Sequence, residues 1–110
     1  HTRVGPGLLE SAYQAILVYE LKKPELLVET EVAVPVEYED VRVEVEFRAD
    51  IIVENKVIIE LKSMEKITNI HQKQLLSYLK ASGLRLGLLI NFGATLIKDG
   101  IIRIANNVKD

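Results

Sequence analysis

The stretch RADIIVENKVIIELK, residues 48–62, contains an acid at Asp50 and, ten residues later, the triplet Glu60-Leu61-Lys62 at the end of an apolar run. Side chains alternate between the two faces of a strand, so Glu60 and Lys62 point to one face and Leu61 to the other. Charges at the end of a core strand cost free energy unless they are paired, hydrated in a cleft or bound to a metal. The stretch therefore predicts two strands with a polar site at one end, where a divalent metal can bind beside a lysine.

The length of the turn between these strands decides whether the two acids meet. A two-residue turn, Asn55-Lys56, places Asp50 opposite Leu61, and the acids then lie on opposite faces. A three-residue loop over residues 54–56, whose middle asparagine takes the left-handed conformation, places Asp50 across from Glu60. Cross-strand Cβ atoms are about 5 Å apart, close enough for two carboxylates to share one cation. We prefer the three-residue loop on functional grounds, although a Glu-x-Lys triplet alone is also typical of an exposed pair at a strand end.

Length and composition predict one soluble domain over residues 1–110. Hydrophobic residues make up 48% of the 110 residues, which is typical of a globular chain and not of a disordered one. No run reaches the 18 uninterrupted apolar residues of a membrane span, and no stretch of these residues resembles a signal peptide. We therefore expect a cytoplasmic protein without a membrane partner. A net charge of −2 argues mildly against a dedicated nucleic-acid binder, although acids reserved for a metal contribute to that sum.

The residue types also restrict the kind of metal. The chain has no cysteine, and His1 and His71 are its two histidines. Disulfides, thiolate zinc sites and cysteine nucleophiles are therefore excluded, and a multi-histidine zinc site is not expected. A metal here would be held mainly by carboxylates, which favours Mg²⁺ or Mn²⁺.

Periodicity along the rest of the chain predicts the order helix, three strands, helix, strand, strand. The predicted elements are an amphipathic helix over 8–22, hairpin strands over 27–38 and 41–54 turning near Glu39-Asp40, a strand over 57–62, a helix over 69–82 between Thr68 and Gly83, a buried strand over 85–91 and a hairpin-like pair within 96–104 around Asp99-Gly100. The predicted apolar faces are Leu9, Ala12, Tyr13, Ile16, Leu17 and Leu21 on the first helix, and Ile70, Leu75, Tyr78 and Leu79 on the second. Three antiparallel strands followed by a crossover helix predict an α/β fold, a mixed sheet flanked by helices.

Three polar residues on the helices are further site candidates. Glu10 lies at the edge of the first apolar stripe, although an acid in a first turn is equally explained by the helix dipole. Gln74 and Tyr78 lie one turn apart on the second helix, so both can face one cleft. Polar residues on a half-buried face more often cap or bridge, so both interpretations stay open.

Basic residues offer candidate contacts to a phosphate backbone. Lys66, Lys73 and Lys80 recur every seven residues and form one stripe. Such stripes are routine on exposed helices, so a solvated face is the favoured interpretation. Arg48, close to Asp50, is a further candidate contact.

Several blocks of the sequence match, in order, the motifs of one protein family. They are GLLESAY at 7–13, RAD at 48–50, ELK at 60–62, HQKQLLSYLK at 71–80 and LLINFG at 88–93. The first has the G-x-x-E-x-x-Y pattern, and the chain resembles the GxxExxY proteins, a branch of the PD-(D/E)XK nuclease superfamily. Gln74 and Tyr78 are similar to the Q-x-x-x-Y element of the RecB-like branch.

This resemblance implies a restriction-endonuclease-like αβββαβ core and Mg²⁺- or Mn²⁺-dependent hydrolysis of phosphodiester bonds, with DNA as the expected nucleic-acid partner. The implied roles are metal ligation by Asp50 and Glu60, a further acid at Glu10 acting directly or through water, orientation of the attacking water by Lys62, and shaping of the site by Gln74 and Tyr78. A catalytically silent module that binds nucleic acid or protein on the same fold is the alternative. A structural module with a Glu60–Lys62 ion pair and a homodimer also stay open.

Two features depart from the family pattern. The chain starts at a residue that resembles the end of the family's preceding helix, so we expect an N-terminal helix to be lacking. The hairpin tip Glu39-Asp40 is acidic where relatives often have lysine and glycine, so it is expected to be a poor phosphate contact.

Overall fold

The computed structural model describes residues 6–38, 41–63, 67–92 and 100–106. Its elements, in chain order, are α1 (Pro6–Lys22), β1 (Val28–Tyr38), β2 (Val41–Val53), β3 (Val57–Lys62), α2 (Asn69–Ser82), β4 (Leu86–Asn91) and β5 (Ile101–Ala105). The predicted order of helices and strands is confirmed. The predicted tip Glu39-Asp40 and the first half of the hairpin-like pair within 96–104 lie outside the described residues.

The five strands form one mixed sheet in the order β1-β2-β3-β4-β5. Strands β3 and β4 are parallel, and the other neighbours are antiparallel. Parallel neighbours need a crossover connection, and α2 occupies that connection. The predicted mixed α/β fold is therefore confirmed. Neither of the two described helices is long and apolar enough to cross a membrane.

The turn between β2 and β3 has the predicted three-residue length. Val53 pairs with Val57 and Ile51 with Ile59, which leaves Glu54, Asn55 and Lys56 in the loop. Asn55 takes the expected left-handed conformation with φ 52°, and the residue before it does so too, with φ 54°. The same register, extended by one step, brings Asp50 and Glu60 opposite each other.

Two apolar clusters cover the two faces of the sheet. The cluster against α1 consists of Ile51, Val53, Ile59 and Leu61, with Leu17, Val18 and Leu21 packed on it from the helix. The cluster against α2 consists of Val34, Ala49, Ile52, Ile58, Leu75, Leu79 and Leu89. Each helix is therefore held by its own hydrophobic layer, because burial of these side chains removes apolar surface from water.

Three residues of the predicted apolar faces are wrong, and one of them is Ala12 on α1, which is exposed. Ile16 on α1 is 59% exposed and Ile70 on α2 is 75% exposed. The face of α1 that meets the sheet is turned toward Val18, which the predicted stripe omitted. Ile70 lies five residues before Leu75, which is about 140° around a helix of 3.6 residues per turn, so the two side chains do not share a face.

The ends of α2 follow the predicted signals. Thr68 is the N-cap in extended conformation, and its backbone N–H donates to Nδ1 of His71 at 3.2 Å. Gly83 ends the helix with φ 79°, and its N–H donates to the carbonyl of Leu79 at 2.9 Å. A left-handed glycine of this kind provides a partner for a terminal carbonyl.

Gly87 on β4 allows α2 to approach the sheet closely. A Cβ atom at this position would lie 2.8 Å from Cδ2 of Leu75, whose side chain is 1% exposed and has no room to move away. Gly87→Ala should therefore lower the free energy of unfolding by about 1–3 kcal/mol, measured by urea denaturation. In a Leu75→Ala background the same change should cost little. An equal loss in both backgrounds would contradict this steric explanation.

Candidate active site

Asp50 and Glu60 meet where the pairing of β2 with β3 ends. The backbone N–H of Asp50 donates to Oε2 of Glu60 at 3.0 Å, and the backbone N–H of Leu61 donates to Oδ2 of Asp50 at 2.8 Å. Each carboxylate thus accepts a hydrogen bond from the backbone of the opposite strand. These two bonds fix both acids at one position between the strands, and each bond uses one oxygen of its carboxylate.

The site contains acids that resist ionisation. Burial raises the pKa of Glu60 to about 7, the hydrogen bond from Asp50 lowers it, and the charge of Asp50 raises it again. Burial also raises the pKa of Asp50, against the lowering effect of the hydrogen bond from Leu61. The pKa of Glu10 is raised by burial and then by the charge of Asp50. The positive charge of Lys62 lowers the pKa of each of the three acids, but each pKa stays above its ordinary value. An additional positive charge at the site would therefore favour the ionised acids.

A cavity of about 270 Å³ lies between α1 and the sheet beside Glu10 and Asp50, and Glu60 is not part of its lining. Its lining residues are Glu10, Ser11, Gln14, Glu31, Asp50 and Leu61. Glu10 therefore lines the same cavity as Asp50, and its role in the site stays a prediction. Gln14 and Glu31 were missed. The sequence carries no signal for Glu31, because it occupies an ordinary polar position of an alternating strand, whereas Gln14 borders Glu10 on the helical wheel and could have been considered.

Tyr78 lies close to Glu60 on the α2 side of the sheet. Its half-buried ring stacks on Phe47 with centroids 3.7 Å apart and an angle of 6° between the planes. Burial raises the pKa of the Tyr78 hydroxyl, and the charge of Glu60 raises it further. Gln74 is an exposed residue, and none of the hydrogen bonds within the described residues joins it to the acids. Its role in the site stays a prediction.

Lys62 is half-buried at the end of β3. Its carbonyl accepts the backbone N–H of Phe92 at 3.1 Å. The ring of Phe92 in turn stacks on Tyr13 of α1, with centroids 4.3 Å apart and 12° between the planes. The backbone that carries Lys62 is thereby linked to the end of β4 and to the helix that carries Glu10.

The candidate phosphate contacts divide into two groups. Lys73 and Lys80 are exposed on α2, and Lys66 lies outside the described residues. Arg48 is also exposed, but its Nη1 donates to the backbone carbonyl of Glu31 at 3.0 Å. Arg48 thus has a structural contact between β2 and β1. The role of all four residues in nucleic-acid binding stays a prediction.

The donor set suits a divalent cation only in part. No three histidine, aspartate or glutamate residues among those described lie close enough together to hold a metal ion. Glu10 is therefore not assembled with Asp50 and Glu60 as a set of three direct ligands. The pair offers carboxylate oxygens, the ligand type that a hard cation prefers, and the charge of Lys62 only partly offsets the raised pKa values of both acids.

A mixed sheet between two helices, with paired acids and a lysine where the pairing of β2 with β3 ends, is a restriction-endonuclease-like arrangement. The sequence model of the PD-(D/E)XK nuclease superfamily matches residues 1–104, and the chain belongs to this superfamily. PD-(D/E)XK nucleases typically use divalent metals and act on nucleic acid, although members can be inactive.

A solved structure supports the same fold. The crystal structure of SSO0001 superimposes with a TM-score of 0.70 at 21% sequence identity, over 94% of this chain and 52% of that one. The chain therefore spans about half the length of SSO0001, and the likeness concerns the fold alone. No curated protein matches the chain.

The raised pKa of Glu60 predicts how stability depends on pH without metal. Between pH 4.5 and about 7 the folded state keeps a proton that the unfolded state has lost, so the free energy of unfolding should fall as pH rises through this window. The expected loss from Glu60 is roughly 3 kcal/mol, measured by urea denaturation in EDTA. Glu60→Gln should remove most of the slope, whereas Glu20→Gln, on the exposed surface of α1, should keep it. Equal slopes for wild type and Glu60→Gln would show that burial does not hold this proton.

Proposed function

We propose that this domain is a metal-dependent nuclease that hydrolyses phosphodiester bonds in DNA, with Mg²⁺ or Mn²⁺ held by Asp50 and Glu60. The observation that carries the proposal is the pair of reciprocal hydrogen bonds, 3.0 and 2.8 Å long, that holds these acids together next to Lys62. Within the superfamily we assign the chain to the GxxExxY branch, because Gly7, Glu10 and Tyr13 match its signature. The choice of DNA rests on that resemblance.

Oε2 of Glu60 and Oδ2 of Asp50 each accept a backbone N–H. The other oxygen of each carboxylate would therefore be the one that holds the metal. When bound, the metal would neutralise charge on the phosphate and lower the pKa of a water molecule. With a pKa of about 7, Glu60 carries its proton for part of the time at neutral pH, and ligation requires the carboxylate to release it. Metal affinity should therefore increase as pH rises to about 7.

Lys62 contributes a fixed positive charge beside the acids. Its side chain follows Glu60 by two positions on the same strand, so both point to one face. In the proposed mechanism this ammonium group orients the attacking water and stabilises the negative charge that develops on the phosphate oxygens. Lys62 thus acts on the transition state and does not ligate the metal.

The helices supply the remaining proposed groups. Glu10 lines the cavity beside Asp50 but does not form a set of three close ligands with Asp50 and Glu60 among the described residues. This supports action of Glu10 through a water molecule. The charge of Glu60 raises the pKa of the neutral Tyr78 hydroxyl, so the two groups are neighbours, which supports a role for Tyr78 in orienting that carboxylate. Gln74 shares a helical face with Tyr78 and is assigned to substrate contact, together with Arg48 and the exposed lysines of α2.

The second candidate function is a module on the same fold that binds nucleic acid or protein without cutting it. The absence of a three-ligand metal cluster among the described residues favours it, because an active site usually completes its cation coordination with more than two protein groups or with substrate. The net charge of −2 also suits a module that binds without cutting.

A cleavage panel separates the two functions. Plasmid, single-stranded and double-stranded oligonucleotides of DNA and RNA are incubated with wild type in Mg²⁺, Mn²⁺ or EDTA, and Mn²⁺ binding is measured in parallel by calorimetry. The nuclease proposal expects cleavage with metal and none in EDTA. Failure of wild type to cut any substrate, with nucleic acid still bound, would support the silent module.

A further inference from the structure

Strands β1 and β2 are distorted where Asp50 lies. Thr30 pairs with Ile51, and the next step along β1 places Glu31 across from Asp50. Glu31 has a φ of 51°, in the left-handed region that residues with a side chain seldom adopt. The distortion is thus centred on the residue opposite the proposed metal ligand.

Packing shows that both strands exchange faces at this point. Val28 and Ile51 pack in the cluster against α1, whereas Val32 and Ala49 pack in the cluster against α2. In a regular strand, residues 28 and 32 would lie on one face, and so would 49 and 51. The place of Asp50 therefore depends on an irregular backbone, which costs free energy unless other groups hold it.

Gln14 on α1 spans the distortion. Its Nε2 donates to Oε2 of Glu31 at 3.0 Å and to the backbone carbonyl of Asp50 at 2.9 Å. From β2, Nη1 of Arg48 donates to the carbonyl of Glu31 at 3.0 Å. Hydrogen bonds to a charged carboxylate are stronger than neutral ones. One side-chain amide thus binds both residues at the point where the strands exchange faces.

We propose that Gln14 is a positioning residue for Asp50, acting through its hydrogen bonds to the carboxylate of Glu31 and the carbonyl of Asp50. Glu10 precedes Gln14 by one helical turn and lines the same cavity, so the same bonds also set the separation of Glu10 and Asp50. An amide suits this role because it brings donors without adding negative charge to an acidic site. The catalytic consequence rests on the proposed nuclease function, whereas the positioning itself applies to the metal-free protein.

The hydrogen bond from Leu61 to Asp50 provides a direct readout of this positioning. That bond, 2.8 Å long, requires the Asp50 carboxylate to stay in place relative to β3. If Gln14 releases the Asp50 backbone, the Leu61 amide should open more often. Its hydrogen exchange should then accelerate, while Ile59 in the middle of the same strand exchanges as before.

The test compares Gln14→Met, which keeps the length of the side chain but removes its donor, with Gln72→Met on the other helix. We expect the Leu61 amide of metal-free Gln14→Met to exchange at least about tenfold faster, and its Mn²⁺ affinity and cleavage rate to fall roughly 10–100-fold. The Gln72→Met control should match wild type in all three measurements. Gln14→Glu, which also lacks the donor, is the second variant if Gln14→Met does not fold, and it should show the same accelerated exchange.

Glu31→Gln separates the hydrogen bond from the charge. It keeps an oxygen that accepts from Gln14, so exchange at Leu61 should stay close to the wild-type rate. An acceleration equal to that of Gln14→Met would overturn the hydrogen-bonding role. So would wild-type exchange at Leu61 in Gln14→Met, whatever its melting temperature. If wild type neither binds Mn²⁺ nor cuts while exchange in Gln14→Met still accelerates, the nuclease proposal fails and the positioning role stands.

Discussion

Asp50→Asn and Glu60→Gln should each abolish metal-dependent cleavage, with a loss of at least about three orders of magnitude, equivalent to roughly 4 kcal/mol of transition-state stabilisation. Each change removes a proposed metal ligand but keeps an oxygen at the position that accepts a backbone N–H. The loss should therefore come from chemistry and not from unfolding. Rates are measured on the most sensitive substrate of the cleavage panel, and Mn²⁺ binding by calorimetry should weaken in parallel.

Stability without metal serves as the control for these variants. Glu60→Gln replaces a buried acid, 7% exposed, by a neutral amide, so the variant should be as stable as wild type or more stable at pH 8. Glu20 lies on α1 and forms an exposed ion pair with Lys23. Glu20→Gln should leave cleavage unchanged. Cleavage by Asp50→Asn at the wild-type rate would refute the proposed metal site, even if the nuclease activity itself is present.

Local rules predicted the order of the elements along the chain, but they left two turn lengths open between β2 and β3. Loop length and a left-handed asparagine fix the pairing of Val53 with Val57, and that pairing aligns Asp50 with Glu60. The two caps of α2 at Thr68 and Gly83 are equally local signals. The fifteen residues 48–62 therefore limited the two acids to two registers, and the expectation that both acids share one site selected the observed one.

Features that depend on distant partners were not predictable in this way. The alternation of polar and apolar residues predicts a regular strand along all of β1. Glu31 instead has a left-handed backbone conformation and accepts hydrogen bonds from Gln14 of α1 and Arg48 of β2. The face that α1 presents to the sheet is likewise chosen by the surface that it meets, which is why Ile16 is exposed although it fits an apolar stripe. Periodicity identifies a helix, but tertiary contacts decide its rotation.

Lys62→Ala should lower the cleavage rate by about two to three orders of magnitude while Mn²⁺ affinity stays within a few-fold of wild type. The ammonium group lies near all three acids, since its charge lowers the pKa of Glu10, Asp50 and Glu60. In the proposed mechanism, however, this charge acts on the water and the phosphate oxygens, where negative charge develops only during reaction. The effect should therefore appear in the rate at saturating metal and substrate and not in ligand binding.

Lys56→Ala is the matched control, because it removes an exposed lysine from the loop at the other end of β3. It should cleave at the wild-type rate, so that a general loss of positive charge cannot explain the result for Lys62→Ala. Removal of Lys62 also leaves the acids with less neutralisation, and metal-free Lys62→Ala should therefore lose stability at pH 8 more than at pH 5. If Lys62→Ala cleaves as fast as Lys56→Ala, the lysine serves only to offset the charge of the acids, and the transition-state role is wrong.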